Sequence, residues 1–103
     1  MSYQLFYSDR SAAQGVRVIL EELGQTYELI ETDIKSSGPR SPELLAVNPN
    51  GLVPVLISEE GSIYECGAIV TFLCDRHSEF GLAPGVGDRH RGLFLQWLFF
   101  FSS

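Results

Sequence analysis

Positive charge is scarce in this sequence: one lysine, Lys35, and six scattered arginines stand against thirteen acidic residues in a chain of 103. With a net charge of −6 and no basic run, nucleic acid and anionic membrane surfaces are poor partners. Cysteine is nearly absent too. Cys66 and Cys74 stand eight residues apart in one expected helix, more than a turn from each other, which excludes an intrachain disulfide. No C-x-x-C and no Cys/His cluster occurs, so neither a dithiol centre nor a zinc site is expected. No stretch reaches the roughly 20 apolar residues of a membrane span. The opening M-S-Y-Q-L-F-Y lacks the basic flank and apolar run of a signal peptide. A soluble, cytoplasmic protein is expected. What the chain does have is apolar content: 45% of residues are hydrophobic, enough for one domain that buries roughly 60–65% of its unfolded surface.

The local patterns come in a readable order. Tyr3 to Tyr7 has strand character. Ser11 is a plausible N-cap for a helix from about Ala12 to Leu23, whose Val16, Ile19, Leu20 and Leu23 recur at helical spacing and which Gly24 stops. Thr26 to Glu31 reads as a second strand, completing a βαβ unit with parallel pairing. After a Ser/Gly/Pro loop, Ser41-Pro42-Glu43 opens a short helix, and Asn48-Pro49-Asn50-Gly51 ends it as a turn. Val53 to Ile57 and Ile63-Tyr64 form a hairpin pair, followed by a helix over Cys66 to Arg76. This order implies an α/β fold with a four-stranded mixed sheet and helices on both faces, βαβ-ββα, which is the thioredoxin-like architecture.

The stretch from Asn48 to Ile69 organises the rest. Pro54 enters an apolar strand although it cannot donate to the ladder, and either a cis Val53–Pro54 bond or a trans edge-strand proline accommodates it. Beyond the hairpin, Glu65-Cys66-Gly67 falls where a helix begins, so its free amides can receive a carboxylate. His77 and His90 flank the Gly/Pro-containing connection with no partner in sight and read as surface residues. The terminal segment carries Leu93, Phe94, Trp97, Leu98, Phe100 and Phe101 around most of a helix, which suits burial on several sides. More chain or a partner is therefore expected to cover it.

Asn48–Leu56, N-P-x-G-x-V-P-x-L, followed by Glu65–Ile69, E-C-x-A-I, resembles the glutathione-binding N-terminal domain of soluble, bacterial-type glutathione transferases. The early Y-S-D-R-S-A-A-Q-G-V-R-V-I-L-E-E-L-G is similar to the same family. The resemblance implies a thioredoxin-like domain over residues 1–78, a linker over 79–87, and over 88–103 the first helix of a truncated all-helical second domain. It also implies glutathione as co-substrate, a small electrophile as second substrate, and a homodimer formed through the third helix and fourth strand.

Residue roles follow from the same resemblance. Val53, before an implied cis Pro54, would pair its backbone with the cysteinyl unit of glutathione. Glu65 would meet the ammonium of the γ-glutamyl unit and Cys66 its carboxylate. At position 66 the family commonly has serine; a thiol is a weaker donor, with a loss of about 1 kcal/mol in affinity. A cysteine at a helix N-terminus is also a candidate for an acidified, oxidisable thiol. The expected catalytic group is Ser11, whose hydroxyl would donate to the glutathione sulfur; Tyr7 and Ser8 are weaker candidates, and Ala12 falls where cysteine-dependent relatives carry their cysteine. The alternative is a catalytically silent interaction or regulatory module on the same fold. Disulfide reduction through Cys66 is least favoured.

Overall fold

Tyr3 and Leu5 point to one face of the first strand and Phe6 to the other, and all three are buried, so the sheet built on this strand must be covered on both sides. The computed structural model describes residues 2–102. Strand β1 (Ser2–Tyr7) leads to helix α1 (Ala13–Glu22) and strand β2 (Thr26–Glu31). Helix α2 (Pro42–Val47), strands β3 (Val55–Ser58) and β4 (Gly61–Tyr64) and helix α3 (Cys66–Arg76) follow. A short 3-10 turn, Ser78–Phe80, and helix α4 (Arg91–Ser102) complete the order.

The sheet runs β2-β1-β3-β4. β1 pairs in parallel with β2 and antiparallel with β3, and β3 with β4 antiparallel. This is the mixed four-stranded, thioredoxin-like arrangement expected from the order of elements. β3 begins two residues later than its apolar run suggests. The Val53–Pro54 peptide bond is cis, and the ladder takes up the chain only from Val55 onward.

Two helices share one face. The register puts Tyr3, Tyr7 and Tyr27 on that side. Tyr7 donates to Gln14 Oε1 of α1 at 2.7 Å, and Tyr27 donates to Glu21 of the same helix. Tyr3 meets the end of α3, where its hydroxyl lies 2.7 Å from His77 Nε2 and its ring contacts the imidazole edge-on. His77 is thus buried at 8% exposure, not at the surface as its Gly/Pro-rich setting suggests, because a tyrosine 74 residues earlier supplies its partner. On the opposite face lie Phe6 and Val55, and Leu44 of α2 is fully buried in the same core.

Local chemistry sets the helix ends. Ser41 caps α2 by accepting from the Leu44 amide, with Pro42 in the first turn. Gly24 takes φ 62° just past α1, the left-handed turn that glycine adopts without a steric penalty. α4 is held at its start by Arg91, whose guanidinium forks onto Asp75 of α3 at 2.9 and 3.1 Å and also donates to the Pro84 carbonyl. The fork lowers the Asp75 carboxyl pKa below its ordinary value. Further along, α4 touches α3 near Gly67 through Leu98 and Ser102. α4 has no buried residue: Trp97, Phe99, Phe100 and Phe101 are all at least half exposed. Among the described residues no helix is long and apolar enough to cross a membrane.

Candidate functional site

Asn48 builds one wall of the site. Its side chain accepts from the Asn50 amide at 3.0 Å and donates to the Leu52 carbonyl at 3.0 Å, while its own carbonyl takes the Gly51 amide. Gly51 is required there: at φ 66° a Cβ would lie 2.8 Å from Arg40 Cγ, and Arg40 Nε donates to the Gly51 carbonyl. This turn delivers Val53 and Pro54 to a cleft of about 140 Å³. Val53 lies outside the strand register, so the ladder with β1 does not occupy its backbone.

The opposite wall is the start of α3. Glu65 precedes that helix at φ 81° and ψ 116°, a conformation that costs a non-glycine residue about 1–3 kcal/mol. No side chain caps α3, in contrast to α2. The first helical bond runs from the Ile69 amide to the Glu65 carbonyl, so the amides before Ile69 have no intrahelical acceptor. These open N–H groups and the positive end of the helix dipole favour an anion.

The cleft gathers the four residues expected from sequence to bind glutathione: Val53, Pro54, Glu65 and Cys66. Ser11 is next to the cleft but not in its wall. Its hydroxyl donates to the Ser8 carbonyl at 2.5 Å and accepts from the Ala13 amide at 3.2 Å, while the neighbouring Ala12 lines the cleft. Tyr7 is committed to Gln14, and Ser8 is buried. Asn48, Asn50 and Leu52 also line the cleft, although from sequence they signal only a turn. Ser102 of α4 joins them, a placement that depends on how α4 docks. Among the described residues no group of three His, Cys, Asp or Glu side chains is placed to hold a metal ion.

The Cys66 thiol lies 3.8 Å from the Ala12 carbonyl across the cleft. Burial pushes its pKa up, and the Glu65 carboxylate adds to the rise. Burial and the Glu65 carboxylate thus oppose the acidified thiol expected from a helix N-terminus. Alkylation of Cys66 by iodoacetamide should therefore be several-fold slower at pH 7 than that of free N-acetylcysteine, with its midpoint at higher pH. Peptide mapping against pH measures this; a midpoint below the free thiol's would contradict it.

Residues 5–81 match the family described as glutathione S-transferase, N-terminal domain. Protein URE2 of Candida maltosa is 38% identical over 98% of this chain and 33% of its own length. The disulfide-bond oxidoreductase YfcG of Escherichia coli is 30% identical over 92% of this chain and 46% of its own. A sphingomonad glutathione S-transferase, solved with glutathione bound, superposes with a TM-score of 0.84 at 30% identity, covering 97% of this chain and 51% of that one. The chain thus spans a third to a half of the relatives it matches.

Proposed function

The chain belongs to the glutathione S-transferase family, and from that premise we propose that the cleft at the start of α3 binds glutathione and activates its thiol for attack on an electrophilic carbon. The observation that carries this reading is the meeting of Val53, cis Pro54, Glu65 and Cys66 in one cleft beside an uncapped helix N-terminus. The α-carboxylate of the γ-glutamyl unit would take the open amides at Cys66 and beyond. Its ammonium would face the Glu65 carboxylate. The Val53 backbone, free of the ladder, would pair with the cysteinyl unit. Such charge-assisted contacts are each worth about 1.5–3 kcal/mol, enough for selective binding of a small zwitterion.

Ser11 is the proposed donor to the glutathione sulfur. Turning its hydroxyl from the Ser8 carbonyl to a thiolate exchanges one acceptor for a charged one, which lowers the thiol pKa of the bound ligand. The thiolate then forms a C–S bond with the electrophile, by displacement of a leaving group or by addition. The reading includes a homodimer and a cytoplasmic setting, and residues 88–103 as the first helix of a second, helical domain.

A second reading, a catalytically silent module, is favoured by one observation: the Ser11 hydroxyl is already bonded and lies outside the cleft wall. Disulfide reduction through Cys66 is disfavoured because Ala12, not a cysteine, stands at the start of α1. Glutathione titrated into the chain should shift the backbone amide resonances of Val53, Glu65 and Cys66 first. The ultraviolet absorbance of bound thiolate, followed against pH, should have its midpoint below that of free glutathione and return toward it in Ser11→Ala. Binding with an unshifted midpoint would favour the silent module. No binding at millimolar glutathione by folded protein would overturn the glutathione reading and leave a module that acts through protein partners.

A further inference from the structure

Three clefts meet around the end of α4, and Ser102 is the one residue common to their linings. The first is the proposed glutathione cleft. The second, about 480 Å³, is walled by Ala12, Gly15, Leu98 and Phe101, with Cys66 and Ser102 as its polar members. The third, about 310 Å³, runs along Gly67, Ala68 and Phe99. Gly67 is what admits Ser102 to this position: a Cβ there would lie 3.0 Å from the Ser102 hydroxyl oxygen.

Helical serines and threonines commonly return their hydroxyl to a carbonyl one turn back. Thr71 does so, donating to the Gly67 carbonyl at 2.8 Å. Ser102 does not: its hydroxyl has no hydrogen-bond partner among the described residues and faces the clefts. A thiol is a weak donor, and that of Cys66 is directed to the Ala12 carbonyl. Ser102 is therefore the one strong side-chain donor in an otherwise apolar cleft whose size suits a small ring compound.

We propose that Ser102 is a specificity-determining residue that donates a hydrogen bond to a carbonyl-type oxygen on a small, otherwise apolar second substrate held between Gly15, Leu98 and Phe101. This rests on the proposed function only for the chemistry that follows binding. An apolar site with a single strong donor discriminates through that donor, because a ligand without an acceptor leaves it unpaired once water is expelled.

Acetophenone and α-methylstyrene test this, since they differ only in a carbonyl oxygen replaced by a methylene. Each is titrated into the chain without glutathione, following the amides of Ala12, Gly15, Leu98 and Phe101. Acetophenone should bind about fivefold tighter, a preference lost in Ser102→Ala and retained in Ser102→Thr. Equal affinities in the wild type, a preference that survives Ser102→Ala or is lost in Ser102→Thr, or no response of these amides would each overturn the proposal. As glutathione is absent, its failure to bind in a separate titration leaves this result standing.

Discussion

Replacing Glu65 with glycine is expected to raise the melting temperature by about 4 °C while weakening glutathione binding roughly thirtyfold. The two effects have different origins in one residue. The backbone of Glu65 is held at φ 81°, where a side chain is strained and glycine is not, so its removal returns about 1 kcal/mol after the extra chain entropy of glycine is counted. The carboxylate is the group proposed to meet the ligand's ammonium, and its loss removes a charge-assisted contact. Glu65→Gln separates the effects: affinity should fall as in the glycine variant with the melting temperature unchanged. Thermal unfolding and glutathione titration on both variants check this. A glycine variant less stable than wild type would show that the helix start needs the side chain for folding.

Leu56→Ala is expected to destabilise the fold by about 3–4 kcal/mol. Leu56 is fully buried at the centre of the sheet, directly opposite Leu5 on β1 and Ile63 on β4. Neighbours on the two flanking strands cannot close together over the cavity, so the cost lies well inside the range of about 2–5 kcal/mol for such truncations. A domain of this size has a total stability of only about 5–15 kcal/mol, and the melting temperature should fall by about 15 °C or more. Val53 and Pro54 lead directly into β3, so glutathione binding should fail at the temperature where the sheet unfolds. Chemical denaturation gives the difference directly, and a loss under 1 kcal/mol would mean that the core repacks around position 56.

The elements that were legible in the sequence are those with local signals. Thr26–Glu31 and Cys66–Arg76 have the bounds expected from sequence, and Ser41-Pro42 starts α2 as its cap chemistry requires. The chemical pairing of Glu65 with the turn at Asn48 was visible as two separated motifs, and the fold brings both to one cleft. Features that depend on distant partners were not legible. His77 has no local reason to be buried; Tyr3 provides it from the other end of the domain. The Cys66 thiol sits where a helix terminus alone would acidify it; Glu65, which opposes this, is its neighbour in sequence, but the burial that opposes it most is a property of the folded cleft. Asn48 reads as a turn former, and only its two side-chain bonds show that it shapes the wall of the site. Ser102 carries no motif at all, and its placement follows from the docking of α4 against Gly67.

The Arg91–Asp75 fork acts as a fulcrum. It fixes α4 at one end, while Ser102 rides at the other, about 16 Å away at the helical rise. Over an arm of that length a tilt of only about 5° carries the far end roughly 1.4 Å, as far as separates a good hydrogen bond from a broken one. An ion pair that lines none of the clefts thus shares, with the docking at Gly67, in setting their gauge. Exchanges at Asp75 or Arg91 would retune what fits beside Ser102 while leaving every contacting residue in place.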